Sequence, residues 1–182
     1  MKTENSVAYI ARLAITLLLI TAVVAAALAG INAVTAPRIQ AINVQKTQSA
    51  IEAVLPGGGE EIGFTDDTGL VNTVYKGQSG YAVEVAPAGF NGTVTMMVGV
   101  DPSGKVLGIS IVNHTETAGL GAEAASQGAA GTAFRGQFAG MGGNVSVTKD
   151  GGQVDALTGA TITSRAVCTG VNAALDVVAK LG

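Results

Sequence analysis

Thr158, Thr161, Thr163 and Ser164 bring four hydroxyls into one short stretch near the C-terminus, Asp155-Ala156-Leu157-Thr158-Gly159-Ala160-Thr161-Ile162-Thr163-Ser164. Apolar residues follow at Val167, Val171, Leu175 and Val178, a helical spacing. Ahead of it, Gly151-Gly152-Gln153-Val154 reads as a turn entering a strand. The stretch therefore predicts a strand, a tight turn and a helix N-terminus. Free amides at a helix start attract anions, phosphate above all. Gly159 and Ala160 leave room for another group to approach the backbone. The same residues also suit an ordinary capped helix, because Ser and Thr are standard N-cap residues.

A second polar cluster, Asn113-His114-Thr115-Glu116-Thr117-Ala118-Gly119-Leu120-Gly121, follows the apolar run Val106 to Val112. Read alone, it is a loop at a strand end. Other chemistries find little to work with. Cys168 is the single cysteine, so an internal disulfide, a Cys-ligated iron–sulfur cluster and a Cys-x-x-Cys-His haem site are excluded. The one histidine, His114, and the scattered carboxylates show no metal-ligand spacing. A net charge of −3, without a Lys/Arg cluster, argues against a nucleic-acid partner. Redox work would need an organic cofactor. Cys168, Phe134 and Phe138 read as packed residues, and Tyr9 as an interfacial anchor.

The elements that must position these clusters divide into two classes. Leu13 to Ile31 is an uncharged run of 19 residues, roughly 28 Å as a helix and close to a bilayer core. Arg12 flanks it on one side, and Asn32 and Pro37 are expected to end it. We read residues 1–12 as a short cytoplasmic segment and 13–34 as a retained transmembrane anchor. A cleaved signal peptide ending at Ala27-Leu28-Ala29 is the rival reading. Flanking charge, Lys2 and Arg12 before and Arg38 and Lys46 after, weakly favours the following domain outside the cell membrane. Residues 35–56 read as a connecting helix with Pro37 in its first turn. Residues 57–182 read as one α+β domain, an antiparallel sheet with packed helices. Its expected strands are Val71–Tyr75, Tyr81–Val85, Thr93–Val100 and Val106–Val112. Short helices are expected between Glu123 and Met141. A last hairpin, Val145–Thr148 with Gln153–Ala156, is expected around Asp150-Gly151-Gly152.

Several motifs together resemble one family. Asp155-x-x-Thr158-Gly159-Ala160-Thr161 resembles the acceptor signature for covalently attached FMN. His114-x-Glu116-Thr117-Ala118-Gly119-Leu120-Gly121 resembles its flavin loop, with Ala118 where proline is common. Val85-Ala86-Pro87-Ala88-Gly89-Phe90-Asn91-Gly92, Val98-Gly99-Val100-Asp101 and Gly104-Lys105-Val106 agree. The whole chain, anchor included, resembles the G subunits of Rnf complexes, membrane-bound ferredoxin:NAD oxidoreductases that move Na⁺ or H⁺. The related C subunits of Na⁺-translocating NADH:quinone reductases are usually longer.

The resemblance implies a redox subunit that relays electrons within a complex and is not catalytic alone. It implies a phosphoester of FMN on Thr161, installed by a flavin transferase, in a domain outside the inner membrane, among membrane, flavin and iron–sulfur subunits and lipid. Asp155, Thr158, Gly159 and Ala160 would be the acceptor's context, with Ile162 and Thr163 amides near the phosphate. Glu116, Thr117, Gly119 and Leu120 would line the isoalloxazine. His114 is open to two readings, a flavin contact or a loop-stabilising residue. A C subunit of a Na⁺-translocating NADH:quinone reductase, a stand-alone extracytoplasmic FMN-linked reductase and a membrane-tethered binding or structural module without flavin are the competing functions. A covalent bond has a physical use here: a helix N-terminus offers an anion roughly 0.3–2 kcal/mol, whereas micromolar retention needs about 8 kcal/mol.

Overall fold

A computed structural model describes residues 3–182; Met1 and Lys2, including the Lys2 part of the charge reading, lie outside the described residues. The chain begins with one uninterrupted helix, α1 (Thr3–Val54), with Pro37 inside it. A separate connecting helix with Pro37 in its first turn is therefore not formed. Proline removes one amide donor and costs about 3 kcal/mol. That cost is local, and the flanking turns have no other partners for their backbone groups. Within α1 a window reaches mean hydropathy 2.6, and the helix is long and apolar enough to cross a membrane. Leu13, Leu17, Ile20, Val24, Leu28 and Ile31 are all more than half exposed on it, as a lipid-facing helix would be. Thr16, Thr21 and Thr35 return their hydroxyls to carbonyls one turn back, which hides them from an apolar medium.

Gln45–Gly182 forms a compact unit of its own. Its frame is an antiparallel sheet in sequence order, β1 (Glu60–Ile62), β2 (Val71–Lys76), β3 (Tyr81–Val85), β4 (Thr95–Val100) and β5 (Val106–Asn113). The four expected strands are present; β1, a three-residue edge strand carrying Glu60 and Glu61, was not expected. Its charge and length suit an edge strand. In β4, Met96, Met97, Val98 and Val100 are all fully buried, so the central sheet is covered on both faces. The last turns of α1 cover one face, where Ala50, Ile51, Val54 and Leu55 cluster with Ala82 and Met97. The other face carries α3 (Thr161–Leu181), which buries Val167, Val171, Leu175 and Val178 as its spacing predicts. Between β5 and α3 lie a 3₁₀ turn (Gly121–Ala125) and α2 (Ala129–Gly136). Phe134 and Phe138 pack edge to face at 5.5 Å in the core, as expected.

The expected last hairpin is replaced by something tighter. Thr148–Asp150 is a single 3₁₀ turn, and Val147 meets Val154 in one parallel bridge. Ser146 O accepts from both Gln153 and Val154 N–H, 3.1 Å each. The alternating Val145, Val147 and Val154 signal reflects burial of three side chains, not two ladder strands. The hydroxyl-rich stretch Asp155–Ser164 is therefore entered from irregular backbone and not from a strand.

Candidate functional site

After Val154 the chain runs irregularly through Asp155, Ala156 and Leu157. Ala160 N–H donates to Leu157 O at 2.9 Å, closing a turn. Gly159 takes φ +74°, where glycine alone is unstrained, and a Cβ there would lie 2.8 Å from the Leu120 side chain. α3 then starts at Thr161, and no side chain caps it. Its first rung is Ser164 N–H to Ala160 O, 3.0 Å. The amides of Thr161, Ile162 and Thr163 thus have no intrahelical acceptor and carry the helix's partial positive charge. Ser164 is spent on the turn itself: its hydroxyl donates to Ala160 O and accepts from Leu157 N–H, 3.0 Å each.

Glu116 joins three separate segments. It is 8% exposed. Its Oε1 accepts from the amides of Phe90 (2.9 Å) and Asn91 (3.0 Å), and its Oε2 accepts from the Thr163 hydroxyl (2.6 Å). Asn91 and Thr115 exchange two further bonds, Asn91 Nδ2 to Thr115 O (2.7 Å) and Thr115 Oγ1 to Asn91 O (2.6 Å). The turn after β3, the loop after β5 and the start of α3 are thereby tied at one carboxylate. Two glycines make the space: a Cβ on Gly89 or Gly121 would overlap its oxygens, and one on Gly121 would also overlap the Thr163 hydroxyl.

Lys149, on the 3₁₀ turn, donates from Nζ to Thr161 Oγ1 at 3.2 Å. Its neighbour Asp150 is engaged by Arg165 in two bonds of 2.7 Å, and that guanidinium holds the Asp150 carboxyl below the usual carboxylate range. Cys168, 4% exposed on α3, is a packed residue as expected. Burial pushes its thiol up to about 11, which keeps it un-ionised and inert at neutral pH.

The sequence-predicted residues fall around two adjoining depressions. A cavity of about 340 Å³ collects Glu116, Thr117, Leu120, Gly159, Ala160, Thr161, Ile162 and Thr163, together with Phe90, Gly121 and Lys149. Asp155 and Thr158 line a neighbouring groove of about 510 Å³ instead, with Gly119, Leu120 and α2 side chains. Leu120 is common to both. The backbone of Asp155 is clamped there by Gln137, which accepts from its N–H (2.7 Å) and donates to its carbonyl (3.1 Å). The Asp155 side chain is left at the surface. His114 is not in the wall of the cavity, and its buried Nδ1 has no hydrogen-bond partner among the described residues. Lys149 and Gln137 carry no sequence signal, and Phe90 enters only as part of the Val85–Gly92 motif, without a site role. The Lys149–Thr161 and Gln137–Asp155 contacts join residues 12 and 18 apart through irregular backbone, which periodicity does not reveal.

This arrangement fits FMN. A phosphoryl group at Thr161 would meet donors: three first-turn amides and the Lys149 ammonium. Among the described residues Glu116 is the single carboxylate in the wall, and its oxygens are occupied by Phe90, Asn91 and Thr163. Phe90 (68% exposed), Leu120 (44%) and Ile162 (48%) give the rim an apolar surface that suits a planar ring. The site is formed entirely within Gln45–Gly182.

Comparison with known proteins agrees. The FMN-binding domain family matches residues 89–176, which spans the Glu116 loop, the Lys149 turn and the start of α3. The G subunit of the Na⁺-translocating ferredoxin:NAD⁺ oxidoreductase complex of Acetobacterium woodii is 34% identical, over 93% of this chain and 92% of its own. The G subunit of the ion-translocating oxidoreductase complex of Methanosarcina acetivorans is 32% identical, over 93% and 94%. The G subunit of the proton-translocating ferredoxin:NAD⁺ oxidoreductase complex of Clostridium ljungdahlii is 42% identical over 53% of this chain and 51% of its own.

Proposed function

This chain belongs to the family of G subunits of ion-translocating oxidoreductase complexes, and on that premise we propose that it carries FMN as a phosphoester on Thr161 and relays electrons between other subunits. The observation that carries the attachment site is the distinct state of each hydroxyl. Thr163 is 1% exposed and bonded to Glu116; Ser164 is fully buried and bonded into the turn. Thr161 is half-buried, opens on the cavity and stands at the first residue of α3. Thr158 is exposed but lines the neighbouring groove.

Bound FMN supplies the electron transfer; the protein supplies position and electrostatics. Thr161 holds the phosphoryl end by its Oγ, and the amides of Thr161, Ile162 and Thr163 face the remaining negative charge. Glu116 fixes the angle between the acceptor helix and the loop Thr117–Leu120. Phe90, Leu120 and Ile162 shield one end of the cavity from water. The exposed Asp155 side chain and Thr158 lie in a groove next to the acceptor, where a flavin transferase can read them while it works on Thr161.

The relatives named for ferredoxin:NAD⁺ oxidoreduction support placing this chain in such a complex, and the length and apolarity of α1 support its role as the anchor. The domain's extracytoplasmic placement rests on the charge flanking the apolar run. Affinity-tagged chain, solubilised in mild detergent, should bring down integral membrane and iron–sulfur subunits together with a flavin-fluorescent band that survives a denaturing gel. Recovery of the flavinylated chain alone from membranes that contain those subunits would overturn the reading as part of a complex.

The anchor has its own test. Edman sequencing or intact mass of the membrane-bound protein should find the residues before Gly30 retained. A mature chain beginning at Gly30 would mean that Ala27-Leu28-Ala29 is a cleavage site and that α1 is not the anchor. Protease added to sealed vesicles tests sidedness: in right-side-out vesicles the flavin-bearing domain should be degraded.

A further inference from the structure

We propose that Lys149 is the cationic ligand of the phosphoryl group at Thr161, seating it during attachment and neutralising it afterwards. The proposal rests on the reading that Thr161 is the acceptor. Its first support is direct geometry: Lys149 Nζ donates to Thr161 Oγ1, the atom that would bear phosphorus, at 3.2 Å. An ammonium placed there is within reach of the non-bridging oxygens of any phosphoryl group on Oγ1.

The surroundings leave this lysine for that role. Among the described residues it is the one cation in the cavity wall. The other basic residue at the turn, Arg165, is committed to Asp150 by two bonds of 2.7 Å. That pairing also satisfies the carboxylate next to Lys149 in sequence, which would otherwise compete for it. Glu116, the carboxylate in the wall, is already occupied by three donors, Phe90 N–H, Asn91 N–H and the Thr163 hydroxyl. The turn that carries Lys149 is held by Thr148 N–H to Val154 O (2.9 Å) and Asp150 N–H to Val147 O (2.9 Å), so its backbone is fixed relative to the acceptor.

The chemistry needs a cation at this point. Attachment forms the Thr161 Oγ–P bond, releases the hydroxyl proton to solvent, and breaks the phosphoryl bond to the donor's leaving phosphate, which departs with the electron pair. The donor must be a flavin phosphoanhydride, because a free phosphate monoester does not condense with an alcohol in water. Negative charge gathers on the phosphoryl oxygens during that exchange, and one negative charge remains on the diester. Lys149 is a ligand of those oxygens and not the base, since its Nζ donates to Oγ1. The helix amides supply partial charges; Lys149 supplies the full one.

The test uses the purified chain with the flavin transferase and flavin adenine dinucleotide as donor, followed by intact mass. Wild type, Lys149→Met and Lys149→Arg are compared for labelling rate against acceptor-chain concentration, for thermal melting, and for the ³¹P resonance of the finished ester. We expect Lys149→Met to melt like wild type and to lower the labelling kcat roughly ten- to a hundredfold. Its KM for the acceptor chain should stay within about twofold, since that charge acts on the reacting phosphoryl group more than on docking. The ³¹P resonance should shift in Lys149→Met and return in Lys149→Arg. Wild-type kcat and an unmoved resonance in Lys149→Met would refute the role. So would a raised KM at unchanged kcat, which would make Lys149 a transferase contact. Peptide mass mapping of the wild type separates the premise: a label on a residue other than Thr161 overturns the acceptor reading itself.

Discussion

Thr161→Val is expected to remove all flavin that survives denaturation, while the fold and the membrane anchor stay intact. The substitution deletes one half-buried hydroxyl and its single bond, the 3.2 Å contact from Lys149, and keeps the β-branched shape. Loss of one such exposed bond costs about 1 kcal/mol or less. The chemical loss is complete, because no other hydroxyl can take over. Thr163 and Ser164 are buried and engaged, and moving either into the cavity would break the Glu116 tie or the turn. Thr158 lies on the other side of Gly159, in the neighbouring groove. Thr161→Ser restores the hydroxyl and should restore partial labelling, reduced because serine loses the χ1 restriction that aims the threonine oxygen. The measurement is in-gel flavin fluorescence with peptide mass spectrometry. In the wild type a mass of FMN less one water should map to the fragment containing Thr161. Undiminished labelling of folded Thr161→Val would sink the assignment.

What could be read from the sequence followed the range of the interactions involved. The apolar run in α1, the helical spacing of Val167, Val171, Leu175 and Val178, and the four main strands are local patterns, and each is present. The hydroxyl-rich stretch Thr158–Ser164 stood out because it is a contiguous string, and it does lead into the start of α3. Three things were not legible. Pro37 suggested a break, but a proline's penalty is local and the helix continues through it. Val145, Val147 and Val154 suggested paired strands, but apolar alternation also fits side chains that enter the core from irregular backbone on either side of a 3₁₀ turn. The Glu116 loop was expected to line the flavin, and it does line the cavity beside Thr161. Its carboxylate, however, is turned to backbone amides 25 and 26 residues away and to a hydroxyl 47 residues away. No periodicity encodes such a tie. The signal that could have found it is the pair Gly89 and Gly121, whose missing side chains make the carboxylate's space.

Glu116→Ala should therefore act on stability first and on the flavin's environment second. The change leaves two amides and one hydroxyl without an acceptor at a position that is 8% exposed. Unmade bonds of this kind cost about 1–3 kcal/mol each, partly offset where water enters, so about 2–4 kcal/mol in total is expected. For a domain of this size that lowers Tm by roughly 5–15 °C. Glu116→Gln keeps the shape: its amide oxygen can accept from Phe90 and Asn91, and the Thr163 hydroxyl can turn to accept from its NH₂. It should cost about 1 kcal/mol, the charge assistance alone. Gly121→Ala places a methyl group where the carboxylate and the Thr163 hydroxyl now meet, and so breaks the same tie from the opposite side. Because the two changes remove one shared interaction, Gly121→Ala combined with Glu116→Ala should cost clearly less than the sum of the single variants. Thr161 Oγ1 does not touch the carboxylate, so below its lowered Tm the Glu116→Ala protein should still accept covalent flavin, with a shifted absorbance or potential. Additive losses in the double variant would show that Gly121 and Glu116 act separately. Loss of labelling in a Glu116→Ala protein shown by circular dichroism to be folded would instead place Glu116 in the surface the transferase reads.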